Sequence, residues 1–149
     1  MSIKFKKILK IITYMVVILI FLAIDCIPKN RENCHGTISF KNNSSKTLYI
    51  TRNYYYTDTT TLIISNPVSS DNTNKVLPFS ENKTALWYYG CFEDLLQSLK
   101  KDTLFVYVFD AEIVETTPWD TVLANNLILK RYDLSLEDLQ NMNWTIIYP

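Results

Sequence analysis

Four carboxylates lie within eleven residues in the second half of the chain, at Asp110, Glu112, Glu115 and Asp120. Two carboxylates placed around a substrate can act as general acid and general base, as in glycoside hydrolysis, and carboxylate oxygens also bind calcium. Acidic residues are equally common in a solvated loop after a buried strand, because charged side chains are rarely buried without a partner. We favour the solvated loop and keep a carboxylate-dependent hydrolase acting on glycans as the alternative.

Aromatic residues make up 13% of the chain and form two triplets, Tyr54-Tyr55-Tyr56 and Trp87-Tyr88-Tyr89. Consecutive side chains of an extended chain point to opposite faces, so at least one ring of each triplet must point away from a one-sided core. Exposed aromatic rings are typical of surfaces that recognise glycans, peptides or a protein partner. The alternative is that these rings fill a sandwich core and cover a strand edge.

The sequence offers few residues for other kinds of catalysis or for metal binding. The chain has one histidine, His35, and two glycines, which exclude a multi-histidine metal site and a glycine-rich phosphate loop. Neighbouring Cys34 and His35 cannot easily face the same ion together with Cys91, and no fourth ligand is evident. No serine or cysteine near His35 matches a catalytic motif. We therefore expect no cofactor, no metal and no enzymatic activity.

The first 25 residues have the layout of a targeting segment. Four lysines accompany an apolar run over residues 11–24 that only Thr13 interrupts, as in a secretory signal. A membrane-spanning helix needs about 20 apolar residues. This run reaches 17 when it is extended back to Ile8, with one lysine inside, so an uncleaved anchor is the alternative. Both alternatives keep the positive end in the cytoplasm and export the body.

Cys26 follows this run directly, in the stretch Ala23-Ile24-Asp25-Cys26. A cysteine in this place resembles a bacterial lipoprotein signal, in which the cysteine is lipidated and becomes the N-terminus, although Asp25 departs from that pattern. Three interpretations stay open: a lipoprotein, an uncleaved anchor and a plain secreted protein. If Cys26 carries lipid, Cys34 and Cys91 remain as an even pair for a disulfide in an oxidising compartment. The alternative for this pair is two buried free thiols.

The balance of charge argues against nucleic acid as a partner. The net charge of zero combines four lysines and one aspartate in the first 25 residues with a net charge of −3 in the rest of the chain. Nucleic-acid binding needs a clustered basic face, and the body has only pairs such as Lys100-Lys101. We expect the membrane to be a partner through the N-terminal lipid or apolar anchor, together with an unidentified protein or glycan.

Hydrophobic periodicity predicts one β-rich domain over residues 36–149. Apolar and polar residues alternate over residues 37–41 and 46–52, on either side of a turn cluster at 42–45, which predicts a hairpin. Six consecutive apolar residues at 104–109 predict a strand that is buried on both faces at the centre of the sheet.

Helices are predicted at three places. An apolar stripe at helical spacing predicts one amphipathic helix, formed around Phe92, Leu95, Leu96 and Leu99. Two short helices are predicted at 118–125, with Pro118 at the first helical position, and at 136–142, after the capping box of Ser135 and Asp138. Further short strands are predicted at residues 75–79, 83–89, 127–132 and 144–148.

These elements predict a mainly β fold with one amphipathic and two short helices. The strands are expected mostly in hairpin order, which favours an antiparallel sandwich or open barrel. A single α+β sheet with helices on one face is the alternative. The predicted organisation is a signal or anchor segment at 1–25, a polar tether at 26–35 and the globular domain at 36–149.

The body also carries a set of distinctive short stretches. They are Ile38-Ser39-Phe40-Lys41-Asn42-Asn43-Ser44, Gly90-Cys91-Phe92-Glu93-Asp94, Phe109-Asp110-Ala111-Glu112, Thr117-Pro118-Trp119-Asp120-Thr121, Leu129-Lys130-Arg131-Tyr132-Asp133-Leu134-Ser135-Leu136-Glu137-Asp138-Leu139, Asn143-Trp144-Thr145-Ile146 and Tyr148-Pro149. On these stretches the chain from Cys34 onward resembles a family of small uncharacterised exported proteins of Gram-negative gut bacteria, often with a lipoprotein-type leader. The resemblance implies export and supports the Cys34–Cys91 pair, and it implies no catalytic activity.

The sequence therefore predicts an envelope-anchored, extracytoplasmic protein, periplasmic or surface-exposed. We expect a non-enzymatic binding or accessory domain. The alternatives are the glycan hydrolase and a subunit that completes a larger envelope assembly.

Overall fold

A computed structural model describes residue 10 and residues 33–54, 64–68 and 73–149. The chain divides into two units, Met1–Glu32 and Asn33–Pro149, and the architecture below is that of the second unit. The predicted targeting segment at 1–25, the predicted lipidation site Cys26 and the tether up to residue 32 lie outside the described residues. So do Tyr55 and Tyr56 of the first aromatic triplet.

The described residues form a mainly β fold of seven strands and four short helices. The strands are β1 (Thr37–Asn42), β2 (Leu48–Asn53), β3 (Lys75–Val76), β4 (Glu81–Trp87), β5 (Leu104–Asp110), β6 (Lys130–Leu134) and β7 (Thr145–Tyr148). The helices are α1 (Phe92–Ser98), α2 (Ala111–Thr116), α3 (Trp119–Ala124) and α4 (Leu136–Asn141). The prediction of a mainly β fold is confirmed, with α2 as a helix that we did not expect.

Two sheets divide the strands between them. Sheet 1 has the order β4-β1-β7 and sheet 2 the order β3-β2-β5-β6. All neighbouring strands pair antiparallel except β1 and β7, which run parallel and join the first strand to the last. Buried residues of both sheets, such as Phe40 of β1 and Val106 of β5, share one apolar core. The sheets therefore pack face to face, as in a sandwich.

The predicted hairpin of β1 and β2 is wrong, because the two strands belong to different sheets. The turn cluster connects β1 of sheet 1 to β2 of sheet 2. The fully buried Asn42 holds this turn through its side-chain hydrogen bonds. The Asn42 side chain donates to the carbonyls of Lys46 and Leu77 at 2.7 and 3.0 Å. Its oxygen accepts from the Ser44 backbone N–H at 2.9 Å and the Ser44 hydroxyl at 2.7 Å. A buried amide with all these partners stabilises a crossover as well as it would a tight turn.

Strand β5 is buried on both faces, as predicted. Val106 and Val108 point into the core between the sheets, whereas Tyr107 and Phe109 point to the opposite face of sheet 2. Helices α2 and α3 cover that second face, with Val114 and Val122 in contact with the rings. A fully apolar strand needs a layer on each side, so the fold has a third, partial layer of helices.

Three local signals account for the short helices. Asp110 caps α2 by accepting from the backbone N–H of Glu112 at 3.1 Å, so the segment after β5 is helical and not the solvated loop that we expected. The capping box of Ser135 and Asp138 at the start of α4 is confirmed. Pro118 occupies the N-cap of α3, one position earlier than predicted.

A disulfide between Cys34 and Cys91 joins the chain just before β1 to the start of α1, with the Cα atoms 4.9 Å apart. The carbonyl of His35 accepts from the backbone N–H of Phe92 at 2.8 Å, which continues the same connection. Phe92 is fully buried and belongs to the core between the sheets. The disulfide therefore holds α1 over one end of the sandwich.

Replacement of Cys91 by serine should lower the midpoint of thermal unfolding under oxidising conditions by about 5–15 °C. The bond closes a loop of 57 residues, and constraining such a loop in the unfolded chain is worth about 4 kcal/mol or less. Cys34→Ser should have the same effect, and the double variant should be no less stable than either single variant. Reduction of the wild-type protein should remove the difference. Equal midpoints for oxidised wild type and Cys91→Ser would contradict a stabilising disulfide.

Candidate functional site

The acidic cluster only partly converges in space. Asp110, Glu112 and Glu115 line one open groove of about 470 Å³ at the end of β5 and along α2. Two lysines line the same groove, Lys46 in the turn before β2 and Lys75 of β3. Asp120 is exposed in the first turn of α3 and is not among the residues that line the groove.

Most charges in this groove are paired. The Nζ of Lys46 lies 2.6 Å from Oδ2 of Asp110, and the Nζ of Lys75 lies 2.6 Å from Oε1 of Glu115. The Tyr49 hydroxyl also donates to Oε1 of Glu115 at 3.0 Å. The first pair joins the cap of α2 to the turn before β2, and the second joins α2 to β3, so the pairs fasten the helix to this side of sheet 2.

The electrostatics of the groove differ from those of a general acid. The hydrogen bond from Lys75, followed by that from Tyr49, lowers the pKa of Glu115 below its usual value of 4.5. The same contact with Glu115 raises the pKa of Lys75, and the hydrogen bond to Asp110 raises the pKa of Lys46. A glycosidase acid needs a raised carboxyl pKa, whereas Glu115 is held ionised. The geometry therefore describes structural ion pairs, and it offers no particular support for the hydrolase alternative.

The second aromatic triplet behaves as the alternation of side chains predicts. Trp87 is 56% exposed and Tyr89 is 91% exposed. Between them, Tyr88 turns inward and packs against Phe92, with ring centroids 5.5 Å apart. In the first triplet, Tyr54 is half-buried and packs against the core between the sheets.

Trp87 and Tyr89 form an exposed pair with a defined geometry. Their ring centroids are 6.2 Å apart and the rings are nearly perpendicular, at 85°. Trp87 pairs with Thr37 across β4 and β1, and the exposed Ile147 of β7 pairs with Lys41. Since Thr37 and Lys41 are four residues apart on β1, Trp87 and Ile147 share the outer face of sheet 1. That face lies opposite the core, and its other described residues are polar.

His35 has a structural setting beside the disulfide. Its ring stacks on Trp144 at 4.1 Å between centroids, with an angle of 12° between the planes. Its Nδ1 lies 2.5 Å from Oε1 of Glu93, and its backbone N–H donates to Oε2 of the same side chain at 3.0 Å. Glu93 belongs to the first turn of α1. His35 therefore supports the junction between β1, α1 and the segment before β7, and it faces no described nucleophile.

Arg52, which was not predicted as a site residue, lines a separate pocket of about 350 Å³. The signal was available, because Leu48, Ile50 and Arg52 follow one another at a spacing of two in β2. Leu48 and Ile50 are fully buried between the sheets, so the same spacing directs Arg52 toward the interior. Its guanidinium carbon lies 5.9 Å from the centre of the Phe92 ring.

Within the described residues, no group of three histidine, cysteine or acidic side chains is placed to hold a metal ion. The helices of this part of the chain are all too short or too polar to cross a membrane. In comparisons with known proteins, no family model matches the chain, and no curated protein or solved structure is significantly similar to it.

Replacement of Glu115 by glutamine should lower the unfolding midpoint near neutral pH by a few degrees at most, because one partly exposed ion pair is lost. The folded state lowers the pKa of Glu115 below 4.5. The ionised Glu115 carboxylate therefore stabilises the fold fully above its usual pKa of 4.5. This stabilisation is lost as the pH falls through the lower pKa of the folded state. Thermal unfolding measured from about pH 7 to about pH 3 should show wild type and variant converging at the acid end.

The matched control for this experiment is Glu112→Gln, in the same helix and the same groove. The Glu112 carboxylate takes part in neither of the two ion pairs, so its replacement should leave the unfolding midpoint nearly unchanged. A difference between wild type and Glu115→Gln that stays constant over the whole pH range would contradict the electrostatic origin of the effect.

Proposed function

We propose that this protein is an exported domain, tethered to the bacterial envelope at its N-terminus, that binds a glycan through Trp87 and Tyr89 without catalysing a reaction. The observation that carries the proposal is the exposed, mutually perpendicular pair of rings at the end of β4. Large rings left in water are a loss of hydrophobic stabilisation for an isolated domain, and they are common where a partner covers them.

The pair is held in a form suited to recognition. Trp87 belongs to a strand that is hydrogen-bonded to β1, and Tyr88 is fastened into the core next to it. The edge-to-face contact places the ring of Tyr89 beside that of Trp87, so the two rings present one aromatic surface.

The surroundings favour a glycan over a large protein interface. The outer face of sheet 1 presents polar residues, Thr37, Ser39 and Lys41, beside Trp87 and Ile147. A stable protein interface buries about 800 Å² on each partner around an apolar centre, whereas this face offers separate rings among hydroxyl and amino groups. Aromatic rings can pack against the apolar faces of sugars, and neighbouring polar side chains can form hydrogen bonds with the sugar hydroxyls. This combination suits a glycan.

Location outside the cytoplasm has two supports. The basic and apolar layout of residues 1–25 is that of an export signal, followed by Cys26. The disulfide between Cys34 and Cys91 is of the kind that persists in oxidising compartments and is rare in the cytoplasm. Lipidation of Cys26 and an uncleaved anchor both agree with these features.

The location is tested by the intact mass of the protein purified from a Gram-negative host, before and after reduction. A chain that starts at Cys26 with acyl groups is the expected result, together with a gain of two hydrogens on reduction of the Cys34–Cys91 bond. A full-length mass in the membrane fraction would identify an uncleaved anchor and retain the proposed export. A full-length protein in the cytosol, with both thiols free, would contradict the proposal.

Glycan binding is tested with the full-length protein in detergent against an array of envelope and dietary polysaccharides. Trp87→Ala should reduce the binding of any captured glycan by at least about tenfold, because removing a central aromatic anchor costs about 2 kcal/mol or more. Phe79→Ala is the matched control: Phe79 is 73% exposed and precedes the other end of β4. Equal losses for the two variants, or no capture by the wild-type protein, would contradict a role for the Trp87–Tyr89 pair.

A further inference from the structure

A pocket of about 350 Å³ opens at one side of the sandwich, beside the short strand β3. Strand β3 has only two residues and pairs with Leu48 and Tyr49 of β2. Beyond that short ladder, Thr51–Asn53 line the pocket together with Asn74, while Leu86 of β4 contributes from sheet 1. The pocket thus lies between the two sheets, next to the end of the described pairing of β2 and β3.

Arg52 is the only charged residue among the described residues that line this pocket. It is partly buried, and its guanidinium lies against the ring of Phe92. The ion pairs of the described residues join Lys46, Lys75, Arg131 and His35 to carboxylates. Arg52 takes part in none of them, and no described carboxylate compensates its charge.

This situation is unfavourable for the isolated domain. Burial lowers the pKa of Arg52, which shows that the charged form loses hydration there, although a guanidinium remains charged at neutral pH. An uncompensated, partly desolvated charge weakens the fold unless an anion completes it. A partly buried charge in a cleft is a feature of ligand-binding sites.

The other lining groups define the chemistry of a ligand. The uncharged polar residues that line the pocket are Thr51, Asn53, Ser65 and Asn74, and Tyr54 is its aromatic residue. Such groups bond neutral hydroxyls, and the single guanidinium matches a single negative charge. A carboxylate accepts two parallel hydrogen bonds from guanidinium, whereas a doubly charged phosphate usually takes several donors or cations.

We propose that the pocket between β2 and β4 binds an acidic monosaccharide unit, with its carboxylate on the Arg52 guanidinium and its hydroxyls on the surrounding polar side chains. A volume of about 350 Å³ lies at the small end of ligand pockets, which suits one sugar unit. The proposal does not depend on Trp87 or Tyr89. It concerns a different site and a different, charged ligand class.

Isothermal titration of the full-length protein in detergent tests the proposal. The probes are D-glucuronate, D-galacturonate and N-acetylneuraminate, with D-glucose, acetate and inorganic phosphate for comparison. At least one acidic sugar should bind saturably and more tightly than glucose, acetate or phosphate. Arg52→Gln should weaken that binding by about 10- to 100-fold, the effect of losing charge-assisted hydrogen bonds. Arg52→Lys keeps the charge but lacks the planar guanidinium, so its affinity for the sugar should lie between those of the wild-type protein and Arg52→Gln.

The matched control is Arg131→Gln. Arg131 is an exposed arginine that makes a two-point contact with Asp133 at 2.6 and 2.8 Å, outside the pocket. It should leave sugar binding unchanged. Thermal unfolding of each variant checks the fold, and the acidic sugar should raise the unfolding midpoint of the wild-type protein in proportion to the logarithm of its concentration. This second readout stands even where an Arg52 variant fails to fold.

Several outcomes would overturn the proposal. They are the absence of binding by all three acidic sugars, equal binding of an acidic sugar and glucose, and unchanged binding in a folded Arg52→Gln variant. Tighter binding of phosphate than of every acidic sugar would overturn the choice of carboxylate. Loss of binding in Trp87→Ala with retention in Arg52→Gln would place the acidic sugar on the aromatic pair and would likewise overturn the Arg52 site.

Discussion

The burial of β5 on both faces is the constraint on which the rest of the structure depends. A strand with Leu104, Val106 and Val108 on one face and rings on the other cannot leave either face in water. Sheet 1 covers the first face, and α2 with α3 covers the second. At about 25 cal/mol for each Å² of apolar surface removed from water, these two layers supply the main favourable contribution to folding. The remaining elements connect the layers or close their ends.

The polar contacts at the borders of the core follow from this arrangement. Helix α2 has to lie across the end of β5, and the pairs Lys46–Asp110 and Lys75–Glu115 hold it there. On the opposite edge of sheet 2, Arg131 of β6 lies over the ring of Phe105 at 4.7 Å while its fork contacts Asp133. A charged and covered edge of this kind opposes pairing with another chain.

The proposed binding regions lie where the layers are incomplete. Trp87 stands on the outer face of sheet 1, which no described element covers, and Arg52 stands beyond the last described pair of β2 and β3. Near one end of the sandwich, the rings of Tyr88, Phe92 and Trp144 follow one another at 5.5 and 6.4 Å and continue to His35 beside the disulfide. The end closed by α1 is thus well packed. Its rings lie next to both proposed binding regions, because Tyr88 follows Trp87 in the chain and Phe92 contacts Arg52.

The sequence by itself determined the local elements whose signals lie within a few residues: the doubly buried β5, the apolar face of α1, the capping box of α4 and the alternation that exposes Trp87 and Tyr89. The cysteine count also indicated the Cys34–Cys91 pair. Alternation states which face of a strand is buried but not which strand lies beside it. Only the tertiary structure therefore decided that β1 and β2 belong to different sheets and that β7 pairs parallel with β1. The same holds for the acidic cluster, since lysines distant in sequence neutralise Asp110 and Glu115, and for Arg52, whose pocket is lined by residues distant in sequence such as Asn74 and Leu86.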